Sequence, residues 1–199
     1  MIIISNPTAI ANEIDIIHSL FEEGLELFHI RKPDFSEAKM KAFILAIGLD
    51  YNDKLVLHSH HHLAEDFGIT RLHLSERKRK DISTKKLYEY NERRIRLSTS
   101  THSIEDFNHL RLFFQYAFLS PVYPSISKEN YHPKVDLFSE IKKRTNFNTQ
   151  LVALGGIEFG NIKKIVESGF DQVALLGTIW NSNNPIENFK SCQQIVLSL

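Results

Sequence analysis

The chain has 199 residues and a single cysteine, Cys192, so no internal disulfide can form; this fits a reducing, cytoplasmic setting. It has no excess charge of either sign: 24 basic residues stand against 24 acidic ones. That balance argues against nucleic-acid or membrane-surface partners. The local exception, Arg77-Lys78-Arg79-Lys80, reads as a solvated loop. No apolar run is long enough to span a bilayer. The chain enters Ile2-Ile3-Ile4 with neither a basic region nor a cleavable apolar run before it, which argues against a signal peptide. Nucleophile elbow, Walker loop, H-E-x-x-H and C-x-x-C motifs are missing too, and with them several hydrolase, nucleotide and redox classes.

What is present is a repeat of strand and helix. Apolar, β-branched runs occur at Ile2–Ser5, Leu25–Ile30, Leu55–His58, Arg71–Leu74, Ile95–Ser98, Tyr116–Leu119, Gln150–Leu154 and Gln172–Leu175, with amphipathic stretches between them. Ile10, Ile14, Ile17 and Leu20-Phe21 show the helical spacing of the first such stretch. Gly24, Gly68 and Gly169 stand where C-terminal helix caps belong. The pattern predicts an α/β fold, a (β/α)8 TIM barrel, with residues 1–199 as a single domain. The competing architecture, a doubly wound open sheet, lacks the early G-x-G-x-x-G turn of its dinucleotide-binding form.

Two strands run into glycine turns: Val152-Ala153-Leu154-Gly155-Gly156-Ile157 and Val173-Ala174-Leu175-Leu176-Gly177-Thr178. Glycine lets a backbone approach a ligand closely, and (β/α)8 barrels hold phosphates after their last two strands. Gly155, Gly156, Leu176, Gly177 and Thr178 are therefore expected to bind the phosphate of a small substrate. Strand two ends in His29-Ile30-Arg31, and alternation puts His29 and Arg31 on one face. An inward arginine calls for an anion, or for an interior carboxylate partner. After strand three comes His58-Ser59-His60-His61-His62, where His58 and His60 could share a metal, with His102 as a further ligand, or lie on an exposed helix start. His73 reads as a satisfied core histidine. Ser98-Thr99-Ser100-Thr101-His102 can cap a helix or donate to phosphate oxygens. The long segment after strand six contains Ser125, Ser127 and Lys128, an anion clamp that could close over a substrate, and His132, a candidate acid–base group.

Together these residues resemble the thiamine phosphate synthase family, which includes a sister branch of thiazole tautomerases. The resemblance runs from strand one to strand eight. It is strongest in Ser100-Thr101-His102, in Ser120-Pro121-Val122-Tyr123-Pro124-Ser125-Ile126-Ser127-Lys128 and in Ala153-Leu154-Gly155-Gly156-Ile157. The family's loop reads Gly-Pro-Val-Phe-Pro-Thr-x-Thr-Lys, so Ser125 and Ser127 stand in for threonines and Lys128 is kept. The resemblance implies that Gly155, Gly156, Leu176 and Gly177 bind a thiazole phosphate, and that Arg31, Ser100 and Lys128 bind pyrophosphate. It also implies departures. His29 and Pro33 replace Gln and Lys of the synthase motif after strand two. Ser59 and Lys78 stand where the synthases carry two Mg²⁺-binding aspartates, with Lys32, Lys78 or Glu76 as conceivable substitutes. The tautomerase's catalytic histidine after strand six is Pro121 here.

The resulting expectation is a thiazole-phosphate enzyme of thiamine biosynthesis, of the tautomerase-like branch, with His29, Arg31, Lys128 and His132 as catalytic candidates and His58, Ser100, Ser125 and Ser127 beside the substrate. The alternatives are the pyrophosphate-releasing synthase and a non-catalytic phosphate-ligand binder. No metal or other cofactor is expected, and Mg²⁺ enters only with the synthase alternative. The partner is a small phosphorylated substrate; a homodimer is left open.

Overall fold

A computed structural model describes residues 1–124 and 136–199. Strand and helix alternate: β1 Ile2–Ile4, α1 Glu13–Glu22, β2 Leu27–Ile30, α2 Glu37–Ile47, β3 Leu55–Leu57, α3 Leu63–Asp66 and β4 Arg71–Leu74. Next come α4 Glu76–Asp81, α5 Thr84–Glu92, β5 Arg96–Thr101, α6 Ile104–Asn108, β6 Phe114–Leu119 and α7 Leu137–Glu140. The chain ends with β7 Gln150–Leu154, α8 Ile162–Glu167, β8 Gln172–Leu175, α9 Gly177–Trp180 and α10 Pro185–Leu197.

The eight strands are parallel and form a closed barrel in sequence order. Closure is made by β1 against β8, with Ile2 opposite Ala174 and Ile3 opposite Leu175, which rules out the open doubly wound sheet. Strand parity sorts the side chains into two cores. Ile3, Phe28, Leu55, Leu72, Ala117, Leu151 and Val173 face outward and pack against helix residues such as Ile17, Leu20, Ile44 and Phe189. Ile2, Ile4, Tyr116, Phe118, Val152 and Ala174 fill the interior.

Gly24, Gly68 and Gly169 take positive φ (90°, 64° and 105°), as helix-terminating glycines do, and turn the chain back into β2, β4 and β8. These turns fix the bottom of the barrel, so the site lies at the opposite, C-terminal strand ends. Cys192 is fully buried in α10, where it packs into the outer core. No helix among the described residues is long and apolar enough to cross a membrane.

The basic run corrects one expectation. It is the helix α4, capped by Ser75 accepting from Lys78 N, and not a loop. Arg79 from this run is buried and pairs with Asp106 at 2.5 Å. Arg77 and Lys78 remain exposed.

Candidate active site

The C-terminal mouth opens into a cavity of about 410 Å³, within the usual range for a small-molecule site. Arg31, His58, His73, Ser100, Gly155, Gly156, Leu176, Gly177 and Thr178 all line it. Both glycine turns thus meet at one opening. The β7 turn depends on its glycines. Gly155 and Gly156 have φ of 101° and 63°, a region side-chain-bearing residues rarely adopt. A Cβ on Gly156 would strike the carbonyl oxygen of Pro124 and come within 2.5 Å of Cβ of Tyr123. The segment after β6 lies directly against this turn: Val122 N donates to Leu154 O (3.0 Å) and Tyr123 N to Gly155 O (3.1 Å). The β8 turn is tied to β7 by Thr178 Oγ1, which donates to Ile157 O.

Arg31 lies on the cavity wall as parity predicts, just past the end of β2. Its backbone N–H donates to Ser5 Oγ at 2.8 Å, which fixes the strand end. Ion pairs among the described residues do not include Arg31, so the interior carboxylate partner is not found there. Lys32, one residue on, faces the opposite way. It is fully buried between strand and helix, 2.6 Å from the Glu13 carboxylate and over the rings of Phe35 and Phe43, and it cannot serve as a cation in the cavity.

Inside the mouth, three imidazoles from adjacent strands meet. His29 Nδ1 lies 2.8 Å from His58 Nε2, and His29 Nε2 lies 2.7 Å from Tyr116 Oη. His58 stacks on His73 with ring centroids 4.1 Å apart. His73 is held at both nitrogens, by Ser98 Oγ (2.9 Å) and Ser100 Oγ (3.0 Å). It is thus the satisfied core histidine expected, and part of the cavity wall as well. His29 is fully enclosed one layer deeper and does not line the cavity; His58 and His73 do.

Loss of water keeps all three rings neutral. Burial, then neighbouring His73 and Arg71, holds His29 well below the ordinary histidine value. Burial, then His73, His29 and Arg31, does the same to His58. Burial, with His61 and Arg31, pushes His73 down to about 3. The Tyr116 hydroxyl is pushed up to about 12 by burial. The network therefore exchanges hydrogen bonds between uncharged groups.

The pairing of His58 with His60 is corrected. β3 stops at Leu57, so strand alternation ends before these residues. His60 takes φ of 50° and points its Nε2 to Phe35 O at 2.8 Å. His62 meets Glu37 at 3.0 Å on the surface. His102 turns its Nδ1 to Ser120 O at 2.7 Å and has its Nε2 3.6 Å from the Glu76 carboxylate. Thr99 and Thr101 face outward and donate to Leu74 O and Phe118 O, leaving Ser100 as the strand-five hydroxyl in the cavity. Ser125, Ser127, Lys128 and His132 lie outside the described residues.

The fold and its mouth define a (β/α)8 barrel with a small-molecule cavity at the C-terminal ends of its strands. Within that class the chain belongs to the thiamine monophosphate synthase family, whose family model matches residues 1–179. Curated relatives agree. It is 25% identical over 187 residues to a thiamine-phosphate synthase of Dictyoglomus turgidum, covering 92% of this chain and 82% of that one. The corresponding protein of Dictyoglomus thermophilum is 26% identical over 191 residues, with the same coverage. Among solved structures, the thiamine phosphate pyrophosphorylase of Bacteroides thetaiotaomicron is similar at a TM-score of 0.75 and 29% identity, covering 98% of this chain and 96% of that one. The thiamine phosphate pyrophosphorylase of Pyrococcus furiosus shares the fold at a TM-score of 0.74 and 14% identity, covering 99% of this chain and 95% of that one. None of these relatives bears a tautomerase name, so the comparisons lean to the synthase alternative and away from the tautomerase-like branch.

Proposed function

We propose that this barrel acts in thiamine biosynthesis on a thiazole phosphate, whose phosphate sits in the cup of Gly155, Gly156, Gly177 and Thr178. The supporting observation is the convergence of both glycine turns and Arg31 on one cavity. Backbone amides at such turns match phosphate oxygens without a charged side chain, and Arg31 adds a bidentate cation across the opening. The reaction favoured by the relatives' names is coupling of hydroxymethylpyrimidine pyrophosphate to the thiazole with release of pyrophosphate. Arg31 and Arg77 would face the leaving group. Lys128 would join them by resemblance.

The magnesium of the family synthases does not fit the donors present. Magnesium wants hard oxygen ligands, usually one or two carboxylates beside phosphate. Among the described residues lining the cavity Glu76 is the one carboxylate, and it is already engaged by Lys80. Ser59 and Lys78 occupy the positions that matter by resemblance, and Lys78 does not line the cavity.

A second reading, proton transfer on the thiazole ring, is favoured by the neutral His58 at the cavity wall with His29 and Tyr116 behind it. A ring nitrogen that can accept or donate is what tautomerisation requires. The test is a turnover assay with both substrate sets, with and without chelator. Formation of thiamine phosphate supports coupling. Aromatisation of a thiazole carboxylate phosphate supports the second reading. Binding without turnover leaves the phosphate-binder alternative, and neither binding nor turnover overturns the proposal.

A further inference from the structure

We propose that His29, His58 and His73 form a three-nitrogen site for a borderline divalent cation, probed by Zn²⁺, with its open coordination position turned to the cavity. Barrel interiors are ordinarily filled by branched aliphatic side chains. Here β2 and β4, and the residue that follows β3, each place an imidazole inside. One ring nitrogen from each histidine lies within 4.8 Å of the other two. A tetrahedral zinc with Zn–N bonds of about 2.0–2.1 Å needs its ligand nitrogens roughly 3.3 Å apart. The closest contact, 2.8 Å between His29 Nδ1 and His58 Nε2, need only open slightly, while a separation at the 4.8 Å bound must close by roughly 1.5 Å. Without metal, those two nitrogens share one proton. A cation would take the place of that proton, which would be carried instead on the nitrogen facing away from the metal, Nε2 of His29 or Nδ1 of His58, so that each ring stays neutral.

The surroundings are those of a ligand set. A metal-bound imidazole is oriented by the partner of its other nitrogen. Tyr116 Oη sits at Nε2 of His29, and Ser98 Oγ sits at Nδ1 of His73, so turning Nε2 of His73 from Ser100 to the metal leaves one bond in place. His58 and His73 line the cavity while His29 closes the site from below. Three protein ligands with the fourth position open is the arrangement of a catalytic zinc site. An all-imidazole set suits zinc, copper or nickel and discriminates against magnesium. Arg31, on the same wall, opposes a bare cation. Its guanidinium would pair with an anion in the same cavity, so the site would favour the cation together with an oxyanion.

This inference does not rest on the thiazole reading, because its readout is the metal alone. The native chain is titrated with Zn²⁺ by calorimetry, and with Co²⁺ by visible absorption. One saturable site of micromolar or tighter affinity is expected, with the intense bands of four-coordinate cobalt. His58→Gln should weaken binding at least tenfold, and Tyr116→Phe by about tenfold through loss of the bond that orients His29. His62→Gln, at the surface pair with His60, should change nothing. Absence of saturable binding, a weak six-coordinate cobalt spectrum, or binding lost in His62→Gln and kept in His58→Gln would overturn the assignment. The cobalt spectrum decides on the native protein even if a variant fails to fold.

Discussion

The two sides of the barrel mouth are built from different material. On the β7–β8 side the cavity is lined by glycine backbone and uncharged side chains: Gly155, Gly156 and Gly177, with Leu154, Ile157, Leu176 and Thr178 beside them. On the β2–β5 side they are side chains: Arg31, His58, His73 and Ser100. A backbone surface has no titrating group and depends only on chain geometry. A side-chain surface can change its chemistry at one position while the barrel stays closed. The family resemblance follows this division. It holds throughout the glycine turns, whereas in the side-chain half it keeps Arg31 and Ser100 and departs where His58-Ser59 and Lys78 stand. A phosphate cup can thus persist while the chemistry opposite it is replaced.

Acid should attack the side-chain half and produce the largest effect. Each buried histidine has a folded pKa below the unfolded value near 6.5. The unfolded chain therefore takes up protons first, and stability is full above about pH 6.5 and falls as pH drops toward 3. The slope is about 1.4 kcal/mol per pH unit per histidine. Urea unfolding at pH 7 and pH 5 should differ by up to about 6 kcal/mol if all three rings stay neutral. A difference below about 1 kcal/mol would mean that they protonate in the fold.

The backbone half should break at Gly156. Gly156→Ala combines a positive φ with a collision against Pro124 and Tyr123, and should cost about 3 kcal/mol and the phosphate affinity with it. Gly160→Ala, where an added Cβ meets nothing within 4 Å, should be near neutral by the same urea measurement. Equal effects would remove the special role of the β7 turn.

The unequal legibility of the two halves has a physical cause. Strand runs and cap glycines are local signals. The glycine turns at 155–156 and 177 are local too, and both were readable. The histidine cluster was not. His29, His58 and His73 are separated by 29 and 15 positions, and only barrel register brings them together. Taken alone, His29 was a catalytic candidate, His58 a substrate neighbour and half of a possible metal pair with His60, and His73 a core residue. The available signal was imidazoles on the same parity of successive strands. Alternation misled at His60, because β3 ended three residues earlier. It placed Arg31 correctly, and the same rule turns Lys32 away from the cavity.

Smaller effects should sharpen the division. Arg31→Ala should weaken inorganic pyrophosphate binding roughly 30-fold, about 2 kcal/mol, without lowering thermal stability, as measured by calorimetry. Loss of stability without loss of binding would make Arg31 a structural residue. Glu76→Gln should have the least effect. Mg²⁺ titration with pyrophosphate present should show no saturable site tied to this residue, in native chain or variant. Stoichiometric binding abolished by Glu76→Gln would restore an oxygen-ligand magnesium site.

The central claim is that the glycine half of the mouth selects a phosphate. Its most direct test is calorimetric titration of the native chain with thiazole phosphate and with the same thiazole alcohol lacking the phosphate. The account predicts one saturable site for the phosphate ester, displaced by inorganic phosphate, and binding at least tenfold weaker for the alcohol. Equal affinity for the two, or no binding of either, would contradict it.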